Sequence, residues 1–502
     1  MNLAENLAHT TREHPDNVAL KLDDAELTYA ALDAAAARVA GLLRSRGVEA
    51  GDRVGIMLPN VPYFAACYYG ALRLGAIVVP MNVLLKRREV GFYLSDSGAK
   101  LLFAWHGFAE AAGTGAEEAG TDLVLVEPGG FERLLAEAEP VADVVERADE
   151  ETAVILYTSG TTGTPKGAEL THANLRRNVE TFVPLARVDD EAMVLGALPL
   201  FHSFGQTCGL NTAVATGACL TLIPRFDPGK ALEIIDRDRV TVFEGVPTMY
   251  AAMLNHPDHD SFDASCLEVC ASGGSAMPLE VMRGFERAFD AKVLEGYGLS
   301  ETSPVASFNR PDRERKPGSI GIPIEGVEMK VVDDGGNEVP QGEPGEILIR
   351  GHNVMKGYWG RPEATAEAID GDGWFASGDM ATVDADGYYF IVDRKKDLII
   401  RGGYNVYPRE VEEVIYEHPA VREAAVVGVP DPELGEEIGA AVALKEGAEC
   451  SEDDVREHCK EQVAAYKYPR RVWFVDELPK GPTGKILKRE IEAPAEVAEQ
   501  NR

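Results

Sequence analysis

The residues best suited to chemistry lie between 158 and 166, "TSGTTGTPK". Glycines there let backbone N–H groups turn toward an anion, hydroxyls add donors, and Lys166 adds a full positive charge. It is not a Walker A loop, because Pro165 stands where that pattern needs glycine before the lysine. The β-rich run "TAVILY" precedes it and "THANLRRNVETF", with Thr171 as N-cap, follows, so a phosphate cradle between a strand and a helix is expected. A second cationic feature is "LPKGPTGKILKRE" (478–490), a basic island in a very acidic chain whose glycines and prolines put Lys485 on an exposed turn. Taken singly, Asp379 reads as turn chemistry, Tyr297 and His202 as core residues, and Glu301 as a helix cap.

The elements that must position these groups alternate. Residues 28–47, "TYAALDAAAARVAGLLRSRG", have helical spacing, a Thr28 cap and a closing Gly47. Strands are expected at "DRVGIML", "AKLLFAW", "TDLVLVE" and "ACLTLIP", which predicts α/β architecture with mainly parallel sheets. "YFAACYYGALRLGAIVVP" is broken by Arg73, two glycines and Pro80, and suits a buried helix followed by a strand. Beyond about residue 318 the texture changes to short strands with Asp-Gly, Gly-Gly and Pro-Gly turns, expected to be antiparallel. A domain boundary fits at "DRKKD", 393–397, a charged interruption between two β runs.

At 502 residues the chain needs more than one core. Its 83 acidic against 49 basic residues give a net charge of -34, which repels nucleic acid and anionic lipid, so a phosphate-bearing partner needs a local positive pocket. The seven cysteines contain no CxxC pair and no zinc pattern, and read as reduced thiols of a cytoplasmic protein. The N-terminus lacks the basic and apolar regions of a secretory signal, and no membrane span is expected.

Six motifs in fixed order change the reading of the single residues. "YTSGTTGTPKG", "LPLFHSFG" (198–205), "EGYGLSETSP" (295–304), "GWFASGD" (373–379), "DRKKDLIIRGGYNVYPREVE" (393–412) and "PKGPTGK" (479–485) resemble the adenylate-forming (AMP-binding) superfamily of acyl-CoA synthetases. The resemblance implies an α/β fold: a large N-terminal domain of α/β subdomains with a distorted β-barrel (1–395) and a small mobile α+β C-terminal domain (396–502). It implies activation of a carboxylate by ATP to acyl-AMP and pyrophosphate, then transfer to CoA with release of AMP. Thr158, Ser159, Gly160, Thr161, Thr162, Gly163, Thr164 and Lys166 would embrace the β- and γ-phosphates. Gly273, Gly274 and Ser275, with Glu295, Gly296, Tyr297 and Gly298, would pass beside adenine, Ser300 would meet the α-phosphate, and Asp379 and Arg394 would hold the ribose. Glu301, with Thr162, would hold Mg²⁺, a hard ion that prefers oxygen. Lys485 would be the adenylation lysine, bridging the acyl carboxylate and the α-phosphate. Lys396 would be the hinge, and Gly402, Gly403 and Tyr404 would line the CoA path.

The acyl pocket is expected from His202, Phe204, Cys208 and Gly209, from Val246 and Pro247, and from Gly274, Gly298 and Val305. It is apolar, with no obvious partner for a phenol, and glycines 209, 274 and 298 are expected to keep a tunnel open. "GYGLSETSP" and "IPIEGVEMKVVD" look like bacterial medium- or long-chain fatty acyl-CoA ligases. Arylpropenoate-CoA ligases, and fatty acyl-AMP ligases that load a carrier protein, remain as alternatives. The expected partners are the small-molecule acid, ATP and CoA, and a homodimer is compatible with the resemblance.

Overall fold

A computed structural model of the chain describes residues 1–158, 164–395, 397–481 and 484–495. Helix–strand alternation builds two large, mostly parallel sheets. The nine-stranded sheet runs, in spatial order, Ile322–Pro323, Val305–Phe308, Val293–Gly298, Val269–Ser272, Val242–Gly245, Met193–Gly196, Cys219–Leu222, Val18–Leu22 and Ala25–Thr28. The seven-stranded sheet runs Gly357–Tyr358, Lys166–Thr171, Thr152–Thr158, Ile77–Pro80, Arg53–Met57, Ala99–Trp105 and Asp122–Val126.

Local signals explain the helices between them. Tyr29–Ser45 starts where the Thr28 hydroxyl accepts the Ala31 N–H at 3.2 Å, and it buries Leu32, Ala36, Val39 and Leu43 along one face. Each such Leu or Val removed from water contributes about 1.5–3 kcal/mol. Pro62–Arg73 opens with proline, where no N–H is needed, and is buried from Phe64 to its end. Its apolar character belongs to the core: among the described residues no helix is long and apolar enough to cross a membrane.

Two expectations need correction. The strands Val327–Val332, Gly345–Gly351, Phe375–Val383 and Tyr389–Arg394 form a four-stranded antiparallel sheet in that order. No pairing between its outer strands closes it among the described residues, so the distorted barrel is an open sheet. The loop after Thr158 does not lead into a helix. Lys166–Thr171 is a strand that pairs antiparallel with Thr152–Thr158, from Thr158 opposite Lys166 to Thr152 opposite Thr171. The helix His172–Ala186 starts only afterwards, with the Thr171 hydroxyl accepting from Asn174 N–H. "GAELT" is buried except at Glu169, and the glycine at its start hides the strand in the sequence.

The last part of the chain is a smaller α+β unit. Strands Ile399–Arg401, Tyr404–Val406, Val421–Asp431, Gly435–Leu444 and Arg471–Phe474 form its sheet, against helices Pro408–Tyr416 and Glu452–Gln462. It has its own core of Ile399, Val411, Ile415, Ile438 and Val455. Contacts to the large part include polar ones: Leu279 N–H donates to Glu413 Oε2 at 3.1 Å, and Arg409 Nη1 donates to the Ile391 carbonyl at 2.9 Å. An apolar one is Tyr416, packed against the core that contains Phe243, Tyr250 and Phe285.

Candidate active site

Four adjacent parallel strands, Val293–Gly298, Val269–Ser272, Val242–Gly245 and Met193–Gly196, end on one edge of the nine-stranded sheet. The crevice beyond the carboxyl ends of such strands is where open α/β sheets collect ligands. Their trailing segments are Tyr297–Glu301, Gly273–Ser275, Val246–Pro247 and the run to His202.

The His202 segment is held by a residue that carries no motif. Asn60 Nδ2 donates to the Gly196 and Leu198 carbonyls at 3.0 and 2.7 Å, and its Oδ1 accepts from Leu200 N–H at 2.9 Å. After His202 the chain forms a π-helix, Phe204–Asn211, a rare geometry frequent at functional sites. Phe204 turns back over Gly273, where a Cβ would meet its ring at 3.0 Å. Burial, reinforced by the Lys485 charge, lowers the His202 pKa to about 4, so the imidazole is neutral at physiological pH.

That influence of Lys485 follows from how its turn is seated. Gly481 N–H donates to the Lys485 carbonyl at 2.8 Å, and the Gly484 carbonyl accepts from Thr248 Oγ1 at 2.9 Å. Gly484 has φ +79°, and a Cβ there would lie 3.0 Å from Val246 Cγ2. Only glycine lets this turn sit so close to the edge of the large sheet. Lys485 and His202 therefore face one space.

The segments after Val293–Gly298 and around Asp379 contain two sets of polar groups, each bonded within itself. Tyr297 Oη donates to Asp379 Oδ2 at 2.7 Å, and Arg394 Nε lies 3.3 Å from Asp379 Oδ1. Asp379 N–H donates to Ser377 Oγ at 3.1 Å. Burial first, then the Asp379 charge, raises the Tyr297 pKa far above its ordinary value, so it remains a donor. Glu301 Oε1 accepts from Thr158 Oγ1 and from Tyr358 Oη, each at 3.1 Å. Lys166 Nζ sits 5.2 Å from the centre of the Tyr358 ring. Tyr358 was not singled out in the sequence; it joins the glutamate to the cradle's lysine, and the aromatic "GYWG" is the only mark it leaves there. Ser300 Oγ lies 3.5 Å from Ser203 Oγ, beside His202.

Other expected residues fall differently. Ser159, Gly160, Thr161, Thr162, Gly163 and the hinge candidate Lys396 lie outside the described residues. Thr164 is exposed at the mouth of the hairpin. Glu295 is buried, its Oε1 accepting from Met277 N–H at 3.1 Å, so it braces the Gly273–Ser275 turn from below. Burial pushes its pKa up to about 7. Gly296 packs under Phe308. Gly298 does not open a tunnel: a Cβ there would lie 1.8 Å from the Pro304 carbonyl oxygen, so it is required for backbone contact. Val305, paired to it, lies in the main core. Gly274 faces Val246 Cγ1, and Gly209 has room beside it, bordered by Glu244 and Leu220. Pro247 opens the helix Pro247–Leu254. Cys208 is buried in the π-helix. Gly402, Gly403 and Tyr404 form an exposed hairpin turn, Tyr404 stacking on Tyr466 at 4.8 Å, while Lys485 is the group turned toward His202.

Glu244 escaped the sequence reading altogether. It lies on the strand Val242–Gly245, is 2% exposed, and its Oε1 has no hydrogen-bond partner among the described residues. Burial pushes its pKa up to about 8.

The arrangement can hold an anion at Lys166, a diol at Asp379 and a carboxylate between His202 and Lys485. Comparison with known proteins gives the family. Residues 7–359 match the profile of a family described as AMP-binding enzyme, and residues 410–485 that of the AMP-binding enzyme C-terminal domain. A long-chain-fatty-acid–CoA ligase of Bacillus subtilis is 37% identical, covering 97% of this chain and 93% of its own. A feruloyl-CoA synthase of an Amycolatopsis species is 41% identical, covering 96% of each. The crystal structure of a benzoate CoA ligase from Burkholderia xenovorans superposes with a TM-score of 0.91 at 31% identity, covering 98% of this chain and 99% of its own.

Proposed function

This chain belongs to the AMP-binding enzyme family and is an AMP-forming acid–CoA ligase, and from that premise we infer which residues carry the reaction and which acids it takes. The supporting observation is the seating of Lys485. The Thr248–Gly484 bond holds its turn against the large domain with the lysine acting on His202. In this orientation the lysine can bridge the acid carboxylate and the α-phosphate, offsetting the charge that grows as the carboxylate attacks and pyrophosphate leaves. Neutral His202 orients the carboxylate without taking a proton, because the acid is already ionised. Asp379, fixed by Tyr297 and Arg394, accepts from the ribose hydroxyls. Thr158, Lys166 and the loop between them hold the departing phosphates.

Glu301 suits Mg²⁺: it is an oxygen donor, with Thr158 and Tyr358 both on Oε1, so Oε2 can face a cation. When bound, the ion would neutralise phosphate charge. We place the domain boundary at 395/396, with Lys396 as hinge. The second step then needs a rotation that withdraws Lys485 and presents the Gly402–Gly403 turn to the pantetheine arm of CoA. The free thiols of all seven cysteines suit a cytoplasmic enzyme.

For the acid, the apolar lining from Phe204, Val246 and Cys208 supports a medium- or long-chain fatty acid. The buried Glu244 carboxyl favours a second reading, an arylpropenoate, since it is the phenol partner that the sequence alone did not reveal. Release of AMP and pyrophosphate from ATP and Mg²⁺ with CoA, across acetate, octanoate, palmitate, benzoate and coumarate, tests both. AMP with octanoate or palmitate supports the fatty acid; AMP with coumarate alone supports the second reading; ADP overturns the mechanism.

A further inference from the structure

The acyl side of the crevice contains buried polar atoms that the reaction does not use. Besides Glu244 Oε1, Gln206 Oε1 and Thr207 Oγ1 on the π-helix have no partner among the described residues. Ser272 Oγ has none either, but pairing with Gly245 puts it on the Phe243 face of the sheet. Gln206 and Thr207 are fully buried and Ser272 is 1% exposed. A buried polar group without a partner is destabilising, a charged one more so, and such groups beside one another need a physical reason.

Strand alternation shows where Glu244 points. Phe243 faces the opposite side, its ring 4.8 Å from Tyr250 and 6.4 Å from Phe285. Glu244 therefore points to the face away from Phe243, toward the π-helix, while Val246, just past the end of the strand, borders the Gly484 turn beside Lys485. Two residues of strand put it about 7 Å deeper than Val246. Across from it is Gly209: a Cβ there would lie 3.5 Å from Glu244 Oε2 and 3.8 Å from Leu220 Cδ1, with nothing else within 4 Å. The side chain that would fill this space is missing where the carboxyl borders it.

We propose that Glu244 is a specificity-determining residue of the acyl site, whose carboxyl hydrogen-bonds a hydroxyl carried by the acid substrate at the end remote from its own carboxylate. The proposal deepens the reading as an acid–CoA ligase and rests on it. A purely apolar tail would leave the Glu244 carboxyl unpaired beside it, whereas a phenol or alcohol would satisfy it. Burial raises the Glu244 pKa to about 8, so at neutral pH the carboxyl is mostly protonated and can both donate and accept. Sites built to bond a hydroxyl reject the analogue without it more strongly than apolar pockets reject an added one.

The test compares kcat/KM for matched pairs, cinnamate with 4-hydroxycinnamate and decanoate with 10-hydroxydecanoate, in the wild-type enzyme, E244Q and E244L. The wild type is expected to favour the hydroxylated member of at least one pair by about tenfold or more. E244L should lose rate on that hydroxy acid and gain on its partner, while E244Q, which still donates and accepts, should keep the preference. A merely structural role would depress both acids equally. No hydroxyl preference in the wild type, or the same ratio in E244L, overturns the proposal and leaves Glu244 as a holder of buried water. If E244L does not fold, the wild-type ratio and E244Q still decide. No AMP from any acid would instead strike the ligase reading.

Discussion

The two ends of the crevice treat polar groups in opposite ways. On the nucleotide side the groups that would meet the ligand are partnered within the chain: Tyr297 with Asp379, Arg394 with Asp379, Thr158 and Tyr358 with Glu301. Only the Oε2 of Glu295, below the Gly273–Ser275 turn, has no partner among the described residues of these motifs. On the acyl side Glu244, Gln206 and Thr207 each bury an atom without a partner among the described residues. A group already bonded in the chain is held in position before its ligand arrives, which suits a cofactor-like substrate common to every turnover. A group left unpaired instead gains most when one particular ligand supplies its partner, which suits selection among acids.

Substitutions can break this comparison at either end. The largest effect is expected at the junction. K485A should slow acyl-AMP formation by about 100-fold or more, the scale of losing one charge-stabilising group at a transition state. It should spare the transfer of a supplied acyl-AMP to CoA, and single-turnover assays of each half-reaction separate the two. Next is D379N, which keeps shape but weakens the charged acceptor. It should raise the KM for ATP by about 10-fold while kcat changes less, because ribose contacts are alike in ground and transition states. A fall in kcat with unchanged KM would remove Asp379 from ribose binding. Y358F takes one donor from Glu301 and should cost about fivefold in kcat/KM for ATP, the worth of one hydrogen bond near 1 kcal/mol. Full activity would make Tyr358 a bystander.

The smallest effect concerns stability at the acyl end. The pKa of Glu244 in the fold, about 8, lies above its ordinary 4.5, so the folded protein keeps a proton that the unfolded chain has released. Wild-type stability is then expected to fall as pH rises from about 4.5 to about 8. E244Q cannot titrate and should gain on the wild type by a few °C in Tm between pH 5 and pH 8. Parallel Tm curves would contradict the buried, unpaired carboxyl.

Much of this architecture was legible in sequence where local chemistry is enough to decide it. Thr28 and Thr171 cap their helices because a hydroxyl beside the first free N–H groups needs no tertiary help. The motifs containing Asp379, Tyr297, Glu301 and Lys485 could be placed because their order along the chain is itself a signal. What stayed hidden depended on contacts between distant segments. Glycine at 167 concealed a strand whose partner is the run before the loop. Gly298 reads as open space until the Pro304 carbonyl is seen against it. Asn60, Tyr358 and Glu244 belong to no motif, and their importance lies in what folds against them: a loop to be pinned, a glutamate to be steadied, a carboxyl with no partner.

The most direct test of the account is ATP–pyrophosphate exchange, measured with octanoate and with 4-hydroxycinnamate in the wild type and K485A. Exchange that depends on the acid and falls about 100-fold or more in K485A is the expected result. Exchange that survives in K485A, or that proceeds without any acid, would contradict the placement of this lysine at the reacting carboxylate.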